Sequence, residues 1–572
     1  MRNFYLLSLL FALSLSTITK AQNFAWAKKM GANNSDEGRA IAIDALGNVY
    51  TTGYFDGTVD FDPGAGVSNL ISNGTDAYIS KLDASGNFVW AKKLSGNGGE
   101  FGVSIAIDGS GNVLTTGTFD GSNVDFDPGA GTFTLGSSAA SVDIYISKLD
   151  ASGNFIWAKS IGSFNADIPT SLATDASGNV YTTGYFKGAV DFDPGAGTFS
   201  LTETGGGGDI FISKLDASGN FVWAKRIGSG SFSTDYGYGI SVDASGNVLT
   251  TGVFFGTCDF DPGAGTFNLS LPGGGNNIFV SKLDGSGNFV WAQALGGGGL
   301  CEGKAITTDP AGNVYTTGYF TGISDFDPSA STYTIASAGS EDIFVSKLDA
   351  SGNFLWAKGM GGSNIEQATS IKVGPSGNVY TTGYFRGTAD FNPDVATYTL
   401  ASTGSFGDDV FISSLDASGN FSWAVRIGGT SSSSDVGKGI TTDAAENVHV
   451  TGVFFSTVDF DPGTGTFNLT AGGTSGDAFV LKLANPASSV SEINTASTIV
   501  VYPNPNTGAF TIKTNTESSY DVTVYNGVGQ MVKQSVDIRG DKQIDLSGFA
   551  KGIYSVVLNA TDNYTTIKVI VE

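Results

Sequence analysis

Between residues 100 and 160, apolar and polar positions alternate in short runs broken by turn residues. Val103 to Ile107 is a small apolar run that ends in Asp108-Gly-Ser-Gly-Asn112. Val113 to Phe119 follows, then Val124-Asp-Phe-Asp-Pro-Gly-Ala-Gly131, then Asp143 to Leu149. A second turn, Asp150-Ala-Ser-Gly-Asn154, leads into Phe155-Ile-Trp-Ala-Lys159. Runs of four to eight residues rich in Val, Ile, Thr, Tyr and Phe and bounded by Gly, Asn and Asp predict strands joined by hairpins. In Asp-Ala-Ser-Gly-Asn the glycine suits a left-handed conformation, and the aspartate suits bonding to nearby backbone amides. No segment shows sustained helical periodicity.

The pattern recurs. Asn-Phe-x-Trp-Ala stands at Asn23 to Ala27 and returns with Trp90, Trp157, Trp223, Trp291, Trp356 and Trp423, which accounts for all 7 tryptophans. Successive tryptophans are 64, 67, 66, 68, 65 and 67 residues apart, and a fixed period of this kind decides the architecture. Each unit offers four strands, A to D, with Asn-Phe-x-Trp-Ala as D. Four strands in each of seven units predict an all-β fold, a seven-bladed β-propeller. Strand A is built from small residues (Ser104-Ile-Ala-Ile107, Thr441-Thr-Asp443), as needed where blades crowd a central channel. Strand D carries the tryptophan, as needed where blades splay apart. The array opens with a lone strand D (Phe24 to Lys29) and closes with A (Gly439 to Thr442), B (Val448 to Phe454) and C (Ala478 to Leu483) that lack one. Pairing these two ends completes the last blade and removes an open edge. An open solenoid of the same units is the alternative.

Around the repeat lie three further segments. Arg2, the apolar run Phe4 to Ile18 and Thr19-Lys20-Ala21 read as a signal peptide over 1–21, cleaved to leave Gln22. That run is short for a membrane span, and no later stretch approaches eighteen apolar residues, so an exported chain that does not span a membrane is expected. The propeller is expected over 22–484, and small polar residues over 485–498 read as a linker. From 499 to 572 the repeat stops and alternating strands predict a small C-terminal β-sandwich.

Two family resemblances follow from these motifs. Lys81-Leu-Asp-Ala-Ser-Gly-Asn87 with Trp90, and Asp44-Ala-Leu-Gly-Asn48-Val-Tyr-Thr-Thr-Gly53, resemble the signatures of the bacterial β-propeller repeat family over roughly residues 23 to 483. The resemblance implies the fold and says little of function. Tyr502-Pro503-Asn504-Pro505 with Gly508 and Phe510, Val524-Tyr-Asn526 with Gly529-Gln530, and Gly552-Ile-Tyr554 resemble the type A C-terminal sorting domain of the type IX secretion system. That resemblance implies passage through the periplasm and recognition of the tail by an outer-membrane translocon. Release to the medium or anchoring at the cell surface then follows. On it, Tyr502, Pro503, Asn504, Pro505, Gly508, Phe510, Gly552 and Tyr554 form a recognition sequence.

Composition narrows the chemistry. A formal charge of −25 disfavours nucleic acid as a partner and favours cations or basic partners. Two acidic features repeat. One is Asp-Phe-Asp-Pro-Gly between strands B and C, which pairs Asp60 with Asp62, Asp125 with Asp127, and Asp191 with Asp193. It likewise pairs Asp259 with Asp261, Asp325 with Asp327, and Asp459 with Asp461, while the sixth unit has Asp390 with Asn392. The other feature precedes strand A: Asp36, Glu100, Asp167, Asp235, Glu366 and Asp435, with Cys301 in the remaining unit. Both sets are expected on one end of the propeller. Paired carboxylates on loops are hard-oxygen ligands suited to Ca²⁺, whereas Asp-Pro-Gly is also a good turn that an aspartate caps. No cofactor is required by the sequence, and Ca²⁺ remains a candidate.

The lone histidine, His449, takes a strand-B position filled by Tyr or Leu in the other units, so it reads as a structural residue and leaves nucleophilic triads nowhere to form. Cys258 and Cys301 fall on loops of adjacent blades, where a disulfide and two buried free thiols are both open readings. The expected function is a non-catalytic binding or scaffold module for protein or glycan. Alternatives are a hydrolase or lyase acting on polysaccharide, and a Ca²⁺-stabilised surface protein. A single active site should break the symmetry of the repeat, and the visible departures are Asn392 with Asp394, Lys187, Arg386 and Glu446. Non-repeated acids and aromatics gathered at one channel mouth would favour an enzyme, and a seven-fold similar face multivalent binding.

Overall fold

The structure is a computed structural model that describes residues 22–138, 141–230, 232–270, 275–404, 407–430, 432–486, 500–513, 519–526, 530–560 and 563–571. The signal-peptide segment 1–21, linker residues 487–498, and Ile499 and Gly529 of the tail domain lie outside the described residues. Two compact units divide the chain, Met1–Ser489 and Val490–Glu572. Among the described residues no helix is long and apolar enough to cross a membrane.

The first unit is all-β and propeller-like. Its repeats form four-stranded antiparallel sheets in the order A-B-C-D, the first being Glu37–Ile43, Val49–Asp60, Asn69–Leu82 and Phe88–Leu94. The last takes Val436–Thr442, Val448–Phe454 and Asp477–Ala484 as A to C, and Asn23–Met30 from the start of the chain as D. Asn23 pairs with Ala484 and Met30 with Ala478, so the two ends of the array close in one sheet. Neighbouring A strands touch in sequence order, and Glu37–Ile43 also touches Val436–Thr442.

Local chemistry explains why so polar a strand B is buried. In Val-Tyr-Thr-Thr-Gly, Thr51 bonds Ser80 Oγ at 2.7 Å and Thr52 donates to the Tyr78 carbonyl at 2.7 Å, so neither hydroxyl is left unpaired. Gly53 allows strands A and B to close up, because a Cβ there would lie 1.8 Å from the Glu37 carbonyl oxygen. Between neighbouring sheets the tryptophan does more than fill space. Trp90 Nε1 and Lys81 Nζ both donate to the Ala151 carbonyl in the C–D hairpin of the next sheet, at 3.3 and 3.1 Å. Trp157 with Lys148, Trp223 with Lys214, Trp291 with Lys282 and Trp356 with Lys347 repeat the latch.

The B–C connections hold short two-stranded ribbons that the sequence pattern did not reveal, such as Val124–Asp125 with Thr134–Leu135. Each presses the phenylalanine of Asp-Phe-Asp-Pro into the core, as Phe126 does edge-on to Phe119 at 5.4 Å. The ribbon also pairs back onto the end of strand D in the preceding sheet, as Asp125 does with Ser95.

In the second unit, Val500–Tyr502, Ala509–Lys513 and Lys542–Asp545 form one sheet. Tyr520–Tyr525, Met531–Ile538, Gly552–Ala560 and Asn563–Val571 form another. Phe510 and Ile544 of the first pack in one core with Val524 and Val556 of the second.

Candidate functional site

The Asp-Phe-Asp-Pro-Gly carboxylates are largely consumed by their own turns. Asp60 Oδ1 accepts the amides of Asp62 and Ser68 at 3.0 and 2.8 Å, and Asp62 Oδ1 accepts that of Gly64 at 2.8 Å. In the second unit Asp125 accepts the amides of Asp127 and Phe133, and Asp127 accepts that of Gly129. In the third, Asp191 accepts from Asp193 and Phe199, and Asp193 from Gly195. In the fourth, Asp259 accepts from Asp261 and Phe267, and Asp261 from Gly263. In the fifth, Asp325 accepts from Asp327 and Tyr333, and Asp327 from Ser329. In the last, Asp459 accepts from Asp461 and Phe467, and Asp461 from Gly463.

The structure keeps Asp62, Asp127, Asp193, Asp261, Asp327 and Asp461, with the aspartates that precede them, as separate pairs, each on the loop of its own unit. One oxygen of each carboxylate is already taken by backbone amides, and each pair serves the loop of its own unit. Among the described residues no three His, Cys, Asp or Glu side chains gather in a way that would hold a metal ion. Lys28 and Lys29 line the same cleft, of about 440 Å³, as Asp60 and Asp62.

The acids before strand A do not decorate a surface. Asp36, Glu100, Asp167, Asp235, Glu366 and Asp435 are all 0–1% exposed. Each packs against a C-strand acid of the preceding sheet that sequence reasoning missed: Asp477, Asp76, Asp143, Asp209, Asp342 and Asp409. The missed signal is an aspartate at a fixed place before the Ile-Ser-Lys-Leu type strand. Burial, reinforced by the facing carboxylate, pushes Asp36 and Asp435 up to about 7, Glu100 and Glu366 to about 8 and Asp167 to about 6.

The disulfide reading is overturned: Cys258 and Cys301 are free and buried. They sit in different cores, Cys258 beside Phe254 and Phe260 and Cys301 beside Val280 and Phe320. Cys301 Sγ lies 3.3 Å from Ser324 Oγ. Burial raises both thiols, so neither has thiolate character. His449 is buried, with Nδ1 3.2 Å from the Asn447 carbonyl. Its Nε2 has no hydrogen-bond partner, and burial, then Lys482, drives it down to about 4. Glu446 has a structural task. It stands at φ 59 where other A–B turns have glycine, and it reaches the neighbouring turn, which has Gly374 in place of the usual aspartate. There it accepts from the Ser376 amide and hydroxyl, Asn378 and Tyr380.

The repeat does break at the channel. The seven A strands all contribute to a cavity of about 200 Å³. One layer there reads Arg39, Val103, Thr170, Tyr238, Lys304, Thr369 and Lys438 in successive units, and the layer above it Glu37, Phe101, Ile168, Tyr236, Glu302, Gln367 and Val436. The Arg39 guanidinium lies 4.8 Å from the Tyr54 ring and 5.5 Å from Phe101. Lys304 Nζ is 3.9 Å from the Tyr238 ring and 5.6 Å from Tyr319. Tyr236 and Tyr238 stack at 5.5 Å, and Tyr185 meets Tyr236 edge-on at 4.8 Å. Glu37 pairs with Arg39 at 3.5 Å and Lys438 at 3.4 Å, and Glu302 pairs with Lys304. Lys372, further along its own A strand, lines a separate cavity of about 590 Å³ at the A–B turns. Apart from the buried Glu100 and Glu366, the A strands thus carry Arg39, Lys304, Lys372 and Lys438 against Glu37 and Glu302, an excess of cations on a chain of charge −25. This site was legible only by comparing the units position by position.

In the second unit Tyr502 is 47% exposed, and Pro503, Asn504 and Pro505 are also exposed. Asn504 also has a structural role: its amide donates to the Lys568 carbonyl at 2.8 Å and its Oδ1 accepts from the Ile570 amide at 2.8 Å, tying the motif to strand Asn563–Val571. Phe510 and Tyr554 are buried, with the Tyr554 hydroxyl donating to the Ala550 carbonyl. Gly508, at φ 113, meets the Ser547 backbone where a Cβ would lie 2.8 Å from Cα. Gly552 has φ 151 with open space around it.

A beta-propeller repeat model matches residues 25–58 and 222–253, and a secretion system C-terminal sorting domain model matches residues 500–572. The chain is 25% identical over 480 residues to the uncharacterized WD repeat-containing protein L264 of Acanthamoeba polyphaga mimivirus, a match covering 76% of this chain and 31% of that one. It is 39% identical over 64 residues to beta-agarase A of Zobellia galactanivorans, covering 11% of this chain and 12% of the agarase. The match thus spans less than a third of the length of either relative. Among solved structures, Sqt1 from Chaetomium thermophilum aligns over 81% of this chain and 100% of its own, at 12% identity and a TM-score of 0.38. The tail marks the protein for secretion to the cell surface or extracellular space through the type IX system. The chain thus carries beta-propeller repeats and ends in a secretion system C-terminal sorting domain.

Proposed function

We propose that this protein is an exported seven-bladed β-propeller that acts as a non-catalytic binding module, with one ligand seat at the mouth of its central channel. The second unit is a small β-sandwich that serves as the address. One observation carries the reading: the repeat breaks at the mouth, where Arg39, Lys304 and Lys438 line one cavity with Tyr238. A seven-fold similar face would suit a multivalent ligand, and this asymmetric one suits a single occupant. Cations over aromatic rings fit an acidic stretch of glycan or protein, the rings stacking on apolar faces while the cations meet carboxylates.

Titration calorimetry with an oligogalacturonate and with an aspartate-rich peptide tests this. Arg39→Ala with Lys304→Ala should weaken binding of one of them at least tenfold, with a neutral glucan as the control. Absence of binding to either probe, or binding indifferent to the double variant, would sink the reading. The same asymmetry favours one rival, a polysaccharide hydrolase or lyase using Glu37 and Glu302. Both glutamates are already engaged by mouth cations, which supports binding over proton transfer. Chain cleavage abolished by Glu302→Gln, with binding retained, would establish the rival.

A further inference from the structure

Six junctions between neighbouring sheets bring two buried acids together: Asp76 with Glu100, Asp143 with Asp167, Asp209 with Asp235, Asp342 with Glu366, Asp409 with Asp435, and Asp477 with Asp36. We propose that each pair is a buried proton-binding site, in which one carboxylic acid donates to one carboxylate.

Geometry forces the two acids together. The backbone amide of the A-strand acid donates to the residue before the C-strand aspartate, as Asp167 does to Val142 at 2.9 Å and Asp435 to Asp408 at 2.8 Å. Most of the remaining lone pairs are satisfied by loop amides, as when Ala32 and Asp56 donate to Asp36 at 2.8 and 3.1 Å. What is left over is telling. Glu100 Oε1, Asp143 Oδ1, Asp167 Oδ2, Asp209 Oδ1, Glu366 Oε1, Asp342 Oδ1 and Asp477 Oδ1 are buried with no hydrogen-bond donor, on residues 0–4% exposed. Five of the six junctions thus hold a carboxylate oxygen that lacks one proton. Two carboxylates crowded out of water cannot both stay ionised, and a shared proton removes the repulsion and supplies the missing donor.

The seventh junction supports this by its exception. There both members are neutral at once, Asn277 in place of the aspartate and Cys301 in place of the acid. A glycine at or just past the end of strand D shields the C-strand aspartate from water: a Cβ on Gly162 would lie 2.2 Å from Asp143 Cγ, and one on Gly361 2.4 Å from Asp342 Cγ. Other charges face the pairs from strand D. Lys29, Lys93, Arg226 and Arg426 meet Asp477, Asp76, Asp209 and Asp409 at 3.1, 2.9, 2.7 and 2.8 Å. These cations hold the C-strand member as the carboxylate and leave the proton on the A-strand member. Ser160 and Gly359 replace the cation beside Asp143 and Asp342. Of further acids, Asp56 faces Asp36, Asp120 faces Glu100, and Asp259 lies across Cys258 from the third pair. Asp408 precedes Asp409 and is engaged by Arg386 at 2.8 Å.

Protons held by the folded state and not by the unfolded chain make stability fall as pH rises. For these acids the contribution is complete below about pH 4 and is lost as pH rises through the folded values of about 6 to 8. Calorimetric unfolding of the full mature chain at pH 5.5, in buffers of different ionisation enthalpy, counts the protons released. About four to six should be released, less about one taken up by His449 as it leaves the core. Zero release or net uptake would overturn the proposal, as would a saturable rise in Tm with Ca²⁺ or Mg²⁺ that is lost in Glu366→Gln. Glu366→Gln should lower the count by about one and flatten the fall of Tm from pH 5 to 8. The wild-type count decides the matter even where a variant fails to fold.

Discussion

The hairpin ends of the sheets and the junctions at their other ends use the same side chain in opposite electrostatic settings. In the A–B turn, Asp175 accepts the amides of Ser177 and Asn179 at 2.9 and 3.0 Å on one oxygen. Its other oxygen accepts from the Asn179 side chain at 2.7 Å and the Tyr181 hydroxyl at 3.0 Å. Burial raises such a carboxyl, but here four donors outweigh it and hold Asp175 below its ordinary value. At the junction, Asp167 has a second carboxylate where Asp175 has a tyrosine, and burial prevails. Depth and the donors aimed at the carboxylate together decide the sign: the shallower Asp175 is outweighed by its donors, and the deeper Asp167 is not.

The strongest way to break the hairpin side of the comparison is to remove an acceptor that serves two sheets. Glu446→Ala leaves the Ser376 amide and hydroxyl, Asn378 and the buried Tyr380 hydroxyl without their acceptor. At about 1–3 kcal/mol for each buried donor, a loss near 3 kcal/mol at pH 7 is expected from urea unfolding. A loss below about 1 kcal/mol would mean that water replaces the glutamate and that the donor count does not govern these turns.

A smaller effect, of opposite sign at two junctions, sharpens the other side. Asp143→Asn supplies a permanent donor to Asp167 where no strand-D cation stands, and it should raise stability at pH 8 by about 1 kcal/mol. Asp76→Asn strips Lys93 of its carboxylate at 2.9 Å and should lower stability by about 1 kcal/mol at the same pH. Urea unfolding of both variants at pH 5 and 8 reads the difference. The same sign at both would show that the strand-D cation does not choose which acid keeps the proton.

Much of the fold was legible because it is written seven times. Trp spacing, the Asp-x-x-Gly-Asn turns and the orphan strand Asn23–Met30 lead to the observed sheets and to the closing pair with Asp477–Ala484. The acids before strand A were visible as a set, but their burial was not. It depends on the partner aspartate at the head of strand C, some 24 residues earlier in the case of Asp143 and Asp167, which only the junction brings near. The mouth cluster was hidden for the reverse reason. Arg39, Tyr238 and Lys304 are isolated departures from different units, and nothing local marks them as neighbours of one cavity. Cys258 and Cys301 lie on adjacent units, yet strand direction sends their side chains into separate cores.

The smallest expected effect lies in the Asp-Phe-Asp-Pro loops, which resemble the hairpins in their bonding and the junctions in having two acids close in sequence. The sixth unit has already made the substitution: Asn392 accepts the Asp394 amide at 3.0 Å just as Asp62 accepts that of Gly64 at 2.8 Å. An amide oxygen therefore serves this turn, and Asp62→Asn should cost less than about 0.5 kcal/mol at pH 7 by urea unfolding. The same variant separates turn formation from metal binding, because a turn needs one acceptor and a Ca²⁺ site needs the charge of the second carboxylate. A Tm that responds to Ca²⁺ in the wild type but not in Asp62→Asn would move these loops from the hairpin class to a cation-binding one. Equal Tm values with Ca²⁺ and with chelator would leave Asp62 a hydrogen-bond acceptor whose negative charge the fold does not use.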